Sequence, residues 1–171
     1  MRIIILFLLI LTPYTVFAGQ ENTGTNIMYA LPLITIGTLA YLKDKEGAIE
    51  FGKSFLTNIA VTGILKEVTH QRRPNGGCCK SFPSGHTSVS FQSATFIHKR
   101  YGLKYAVPAY IAATYVGYTR VVADKHYTKD VVAGAVLGIA SSWYFTTEYR
   151  GFLVTPIANT DTIGLSFSKQ F

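Results

Sequence analysis

The sequence has few charged residues and few cysteines. Charged residues make up 15% of its 171 residues, against about a quarter in average soluble chains, which excludes a disordered tail or an acidic linker and disfavours a coiled coil. Cys78 and Cys79 are the two cysteines of the chain, and they are sequence neighbours. Because neighbouring cysteines pair only in a strained ring, we expect no disulfide framework and two unpaired thiols without an assigned role.

The excess positive charge of the chain lies in its middle. The formal net charge is +7, and the segment from Lys66 to Asp130 contains ten Lys and Arg against three Asp and Glu. A basic surface for nucleic acid is usually polar, whereas these cations interrupt apolar segments. The pattern therefore favours a buried or half-buried anion site and no nucleic-acid partner.

Residues 1–18 have the pattern of a secretory signal peptide. Met1 and Arg2 form a short positive start, residues 3–11 are almost entirely apolar, and small or modest side chains precede a cleavage site after Ala18. The alternative is a retained first membrane helix, which the shortness of the apolar run disfavours. In either case the segment directs the rest of the chain out of the cytoplasm.

The next part of the chain, residues 19–150, is predicted to be one helical domain. Its apolar stretches lack the alternation of strands and are bounded by charges, Gly or Pro, at about 27–42, 49–65, 89–97, 105–122 and 131–145. They are shorter than the ~20 apolar residues of a membrane span, and they contain Thr, Ser, Gly and Tyr. Short membrane spans and a soluble bundle are both compatible with this pattern.

Residues 151–171 differ from the helical domain. Two short segments, 152–156 and 163–171, flank an Asn-Thr-Asp turn, and the second of them alternates apolar and polar side chains. This pattern predicts a C-terminal tail resembling a β-hairpin.

The first two candidate functional clusters combine cations with a helix start. Lys66 ends an apolar stretch, and Arg73 follows seven positions later, so the two share a face if the helix continues. Ser84 is a typical N-cap, Gly85 lets a ligand approach the backbone, and His86 lies in the first turn, where free amides attract an anion. Alone, a cationic helix end and a capped helix start are common surface features.

The third cluster is Arg120, His126 and Asp130. The last two are four positions apart, so on a helix they share a face, and the carboxylate can fix the imidazole tautomer while the other nitrogen stays free to attack. Arg120 offers a planar fork for phosphate oxygens. In an up-down bundle the three clusters meet at one end, which indicates a phosphate site with a nucleophile and a proton-transfer group.

These motifs resemble the signature of the type 2 phosphatidic acid phosphatase (PAP2) superfamily, K-x6-R-P, P-S-G-H and S-R-x5-H-x3-D. The chain has KEVTHQRRP, PSGH and TRVVADKHYTKD, in the same order and with the internal spacings kept. Thr119 stands where the family has serine. The resemblance implies an all-α, PAP2-type bundle of five to six helices, embedded in the membrane and followed by the C-terminal hairpin.

The resemblance also implies roles for individual residues. His126 would attack phosphorus and form a phosphohistidine, Asp130 would orient His126, and His86 would protonate the leaving oxygen and then activate water. The phosphate oxygens would be held by Lys66, Arg73, Arg120, Ser84 and Gly85. No metal or other cofactor is implied, because the cations neutralise the phosphate charge.

The implied function is the hydrolysis of a phosphate monoester or pyrophosphate of a membrane lipid. The enzyme would lie in a bacterial inner membrane with its site facing the periplasm. The alternative is a soluble periplasmic non-specific acid phosphatase of the same superfamily. A vanadium haloperoxidase is less favoured because the chain is short for that group. A non-catalytic anion-binding scaffold is less favoured because binding alone needs no His-Asp pair. Neither the lipid nor the oligomeric state is predicted.

Overall fold

The computed structural model describes residues 19–149 and two strands near the C-terminus. Residues 1–18 lie outside this part, so the signal peptide and the domain boundaries stay predictions. The elements are α1 (Gln20–Leu42), α2 (Lys45–Thr69), α3 (Gly85–Tyr101), α4 (Leu103–Val122), α5 (Thr128–Phe145), β1 (Phe152–Asn159) and β2 (Thr162–Lys169). Each helix contains one of the five predicted apolar stretches, so the all-α prediction is confirmed.

Local signals in the sequence explain where the helices begin. The Asp44 carboxylate caps α2 by accepting from the Gly47 amide at 2.9 Å, and the Ser84 hydroxyl caps α3 at the Thr87 amide. Gly102 separates α3 from α4 with a φ of 101°, a conformation that glycine adopts without strain. Helices α2 and α3 therefore begin in capped polar turns that precede their apolar stretches.

Helix α3 lies at the centre of the bundle and contacts the other four described helices. Its closest neighbour is α5, where Gly134 and Gly138 face the Ser84 and Ser88 carbonyl oxygens so closely that a Cβ atom at either glycine would overlap the oxygen. Such close backbone approach is typical of small residues at helix interfaces. The contact ties the start of α3 to the start of α5.

The interior of the bundle is polar and its outer surface is apolar. Ser88, Gln92 and Thr95 of α3 are fully buried, whereas Leu56 of α2 and Ile111 of α4 are 69% and 67% exposed. In water, so much exposed apolar surface would be unfavourable. Among the described helices, α1 is long and apolar enough to cross a membrane over Glu21–Leu42. The distribution is the one expected of helices surrounded by lipid.

Strands β1 and β2 pair antiparallel, with Phe152 opposite Lys169 and Asn159 opposite Thr162. The predicted C-terminal hairpin is therefore present. In the connection between α2 and α3, the sulfur atoms of Cys78 and Cys79 are bonded to each other as a disulfide. The expectation of two unpaired thiols is thus wrong; in this connection Cys79 has a positive φ of 83°.

Candidate active site

A cavity of about 290 Å³ lies at the end of the bundle where α2 and α4 end and α1, α3 and α5 begin. Six of the eight predicted site residues line it, namely Lys66, Arg73, Gly85, His86, Arg120 and His126. The other two, Ser84 and Asp130, are fully buried. Antiparallel helices thus bring the three sequence clusters together, as the motif order predicts.

Lys66 and Arg73 supply the first pair of cations. The Lys66 ammonium donates to the carbonyl oxygens of Lys80 at 2.9 Å and Pro83 at 2.5 Å, so it fixes the segment that leads into α3. The Nε atom of Arg73 is buried and has no hydrogen-bond partner within the described chain. A buried guanidinium donor without an acceptor is costly unless an anion binds it.

The Arg120 guanidinium connects α4 to the start of α1. Its Nη2 donates to the Glu21 carbonyl oxygen, and its Nη1 lies 3.4 Å from the Thr25 hydroxyl. Its Nε donates to the Thr119 hydroxyl at 3.3 Å, and that hydroxyl donates to the Val116 carbonyl oxygen at 2.7 Å. Threonine at position 119 therefore keeps a hydroxyl contact with the arginine.

His86 lies in the first turn of α3 and faces the start of α1. Its Nε2 atom is 3.4 Å from the Thr25 hydroxyl, which donates its own proton to the Glu21 carbonyl oxygen at 3.0 Å. Because a hydroxyl has only one proton, Nε2 of His86 must carry the proton in this contact. Thr25 thus places a proton-bearing nitrogen at the wall of the cavity.

His126 and Asp130 are close together but are not hydrogen-bonded. The Nδ1 atom of His126 lies 3.8 Å from Oδ2 of Asp130, and it is buried without a hydrogen-bond partner among the described residues. The Asp130 carboxylate instead accepts from the Ser81 hydroxyl at 2.5 Å and the Tyr127 amide at 3.0 Å, and from Gln71 at 3.3 Å. It therefore already has three donors.

The prediction that His126 and Asp130 share a helix face is wrong. Helix α5 begins at Thr128, so His126 precedes it in the connection from α4. Asp130 lies in the first turn, where its carboxylate accepts from the amide of the N-cap residue Tyr127. The two side chains approach each other through this cap and not through a shared helix face.

The electrostatic environment keeps the His126 imidazole neutral. Burial and the nearby charge of Lys66 lower the pKa of His126 to about 4, although the nearby Ser81 backbone and the Asp130 carboxylate act in the opposite direction. A neutral imidazole has a lone pair available for attack. The arrangement can therefore hold a phosphate group among cations while presenting a nucleophile to it.

The sequence motifs missed several residues of the site. Glu21 and Thr25 come from α1, and Lys125, which forms a 3.2 Å ion pair with Glu21, also lines the cavity. Nothing in the apolar pattern of α1 pointed to them. The sequence has one hint of this contact, the glycine at position 24 of α1. A Cβ atom there would overlap the Thr119 hydroxyl, so α1 and α4 approach closely at this point.

The chain is similar to known proteins in sequence and in fold. The family model described as the PAP2 superfamily matches residues 47–151. The chain is 41% identical over 133 residues to lipid A 1-phosphatase of Porphyromonas gingivalis, covering 71% of this chain and 30% of that protein. It is 28% identical over 166 residues to lipid A 4′-phosphatase of Helicobacter pylori, covering 91% of this chain and 79% of that protein.

The chain therefore spans about 30% of the length of the first relative. Among solved structures, the crystal structure of LpxE from Aquifex aeolicus matches with a TM-score of 0.62 and 24% identity, covering 72% of this chain and 83% of that one. This likeness shows that the helices described above have the same fold.

Proposed function

The chain belongs to the PAP2 superfamily, and we propose from this premise that it is a membrane-embedded phosphatase acting on a phosphorylated lipid. The observation that supports this most is a neutral, buried His126 beside a cavity lined by Lys66, Arg73 and Arg120. A site that only bound anions would have no need of a nucleophile.

In the proposed first step, the nitrogen of His126 that does not face Asp130 attacks phosphorus. A nitrogen–phosphorus bond forms, the bond from phosphorus to the lipid oxygen breaks, and that oxygen takes a proton from the imidazolium form of His86, which the negative charge of the bound phosphate favours. His126 becomes cationic in this step. Its Nδ1 atom lies 3.8 Å from Oδ2 of Asp130, so a shift of about 1 Å brings the two atoms to hydrogen-bond distance. The carboxylate then stabilises the imidazolium.

In the second step, water attacks the phosphohistidine. His86, now neutral, takes a proton from the water, the nitrogen–phosphorus bond breaks, and phosphate leaves with both histidines returned to their starting state. Throughout both steps the negative charge on the phosphoryl oxygens faces Lys66, Arg73 and Arg120. Fixed cations of this kind stabilise the transition state without reorganising at the moment of reaction.

The lipid character of the substrate follows from the surface around the site. Helix α5 has 18 residues, which corresponds to about 27 Å, close to the ~30 Å hydrocarbon thickness of a bilayer. Exposed Trp143 and Tyr144 lie at the end opposite the cavity, and exposed Tyr118 and Tyr127 lie at the cavity end. Aromatic side chains at both ends are typical of the two membrane interfaces.

The cavity would therefore lie at the level of the lipid headgroups, where a membrane lipid presents its phosphate. Because both curated relatives are named lipid A phosphatases, we favour a phosphorylated glycolipid of this kind as the substrate. We further propose that the protein resides in the inner membrane with its site facing the periplasm, in agreement with the predicted signal peptide.

The proposal is tested by phosphate release from detergent-purified protein in the presence of EDTA. The substrates are bis-phosphorylated lipid A, phosphatidate, a polyprenyl diphosphate and p-nitrophenyl phosphate. We expect release from lipid substrates that is lost in His126→Ala. The matched control is His98→Ala, because His98 contacts Tyr110 at 3.2 Å and lies at the opposite end of α3.

Equal turnover by wild type and His126→Ala would refute the catalytic role of His126. Turnover of p-nitrophenyl phosphate alone would favour the soluble acid phosphatase. A soluble enzyme would also leave the membrane pellet on carbonate washing, whereas we expect the protein to remain in it.

A further inference from the structure

A second cavity, of about 320 Å³, lies between α1, α2 and α3. It shares Lys66, Gly85 and His86 with the phosphate cavity, and its other walls include the apolar side chains of Met28 and Val89. The second cavity therefore adjoins the phosphate site. It offers space for the part of a substrate that is attached to the phosphate.

One polar side chain of this cavity lacks a partner. Asn58 is 1% exposed and lines the cavity. Its Oδ1 atom accepts from the Ser88 hydroxyl at 2.6 Å, but its Nδ2 atom is buried with no hydrogen-bond partner in the part of the chain that the structure describes. Because an unsatisfied buried donor is unfavourable, such a group needs an explanation.

Two buried hydroxyl groups lie beside the Asn58 amide. The Ser88 hydroxyl that bonds Oδ1 also lies 3.1 Å from the Thr62 hydroxyl, and both of these side chains are buried. In this arrangement the Ser88 hydroxyl is used by Oδ1. The Nδ2 hydrogens are left for an acceptor that the described residues do not supply.

The depth of Asn58 indicates which acceptor fits. A Cβ atom at Gly85 would lie 3.8 Å from both Thr62 and Lys66, so this part of α2 is level with the phosphate site. Asn58 precedes Thr62 by one helical turn, about 6 Å further into the bundle. In acylated lipid phosphates, an ester or amide carbonyl lies a short linker away from the phosphate, on its hydrocarbon side.

We propose that this cavity is an acyl-carbonyl subsite, in which Asn58 Nδ2 donates a hydrogen bond to an ester or amide carbonyl oxygen of the lipid. The inference rests on the proposed lipid phosphatase function and names the substrate class. The subsite selects acylated lipid phosphates over polyprenyl phosphates, which have no carbonyl next to the phosphate.

The test compares substrates that differ only in the carbonyl. For each protein, kcat/KM is measured on phosphatidate and on its di-O-alkyl analogue, which has ether links in place of the esters, and on bis-phosphorylated lipid A and a polyprenyl phosphate. We expect wild type to prefer phosphatidate over the ether lipid by about threefold to tenfold, the value of one neutral hydrogen bond. It also prefers lipid A over polyprenyl phosphate.

Two variants of Asn58 remove the donor. Asn58→Leu has the same branching at Cγ but a larger side chain, and Asn58→Asp keeps the size and the acceptor for Ser88, so it serves if the leucine variant does not fold. In both, we expect the ester-to-ether ratio to fall to about one. The control is Thr35→Val, because Thr35 is buried in α1 and its hydroxyl bonds within that helix, to the Leu31 carbonyl oxygen. This variant keeps the wild-type ratio.

A wild-type ratio near one, a wild-type preference for polyprenyl phosphate, or an unchanged ratio in the Asn58 variants would overturn the subsite. If the Asn58 variants lose kcat/KM equally on both lipids of a pair, Asn58 has only a structural role. This result would also overturn the subsite. Failure of the proposed function is different, because wild type would then release phosphate from none of the lipids.

Discussion

Replacing Gly134 by alanine tests whether the contact between α3 and α5 sets the geometry of the site. A Cβ atom at this position would overlap the Ser84 carbonyl oxygen and lie 3.3 Å from the Ser88 amide nitrogen. Both are backbone atoms of a packed helix, which cannot rotate away as a side chain can. The two helices must therefore separate by about 1 Å to restore normal van der Waals contact.

This separation should affect both stability and turnover. Forcing an extra methyl group into a packed interface typically lowers the free energy of unfolding by about 1 to 3 kcal/mol. Ser84 precedes His86 at the start of α3, and Asp130 lies one turn before Gly134 in α5. The separation therefore moves His86 away from the side of the cavity formed by the start of α5. A misplacement of about 1 Å reduces turnover on the order of 100-fold.

Both quantities can be measured on detergent-purified protein, by thermal unfolding and by phosphate release from the preferred lipid. The control is Gly37→Ala, because Gly37 is exposed on α1 and no described atom lies within 4 Å of the added Cβ. We expect the control to keep its turnover and to gain about 0.5 to 1 kcal/mol from the better helix former. Wild-type turnover and stability in Gly134→Ala would refute the reasoning.

Three further predictions concern buried polar groups. Arg100 is buried and donates to Asp44 at 2.6 and 2.8 Å, so Arg100→Met should lower the free energy of unfolding by about 3 to 5 kcal/mol; an unfolding temperature equal to that of wild type would contradict this. Because the pKa of His126 is lowered to about 4, its NMR signal, identified by its loss in His126→Ala, should titrate near pH 4. His126 of the unfolded chain binds a proton at a higher pH, so the free energy of unfolding should decrease as the pH falls from about 6.5 to 4. A midpoint near 6.5 would contradict the burial argument. The Ser81 hydroxyl donates to Asp130 at 2.5 Å, so Ser81→Ala should lower kcat roughly tenfold with little change in KM; a raised KM with unchanged kcat would contradict a positioning role.

The predictions that succeeded depended on local patterns. Apolar stretches bounded by charges and glycine gave the correct order and number of the described helices, because the backbone conformation of a helix is decided over a few turns. The three motifs identified six residues that line the phosphate cavity, because alternating helix directions bring motif ends together whatever the detailed packing is. The proximity of His126 and Asp130 was predicted correctly, but from a helix that begins only after His126.

The sequence by itself thus determined the helices, the end of the bundle at which the motifs meet, and the family. Only the tertiary structure decided which side chains of the apolar helices face inward. Thr25 of α1 meets His86 at 3.4 Å, and Asn58 of α2 lines a cavity that no motif marks. The physical reason is that lipid-facing and buried surfaces of such helices are both built from small and apolar residues, so periodicity does not separate them. The inward face of each helix depends on its neighbours, and those are set by contacts between residues far apart in the chain.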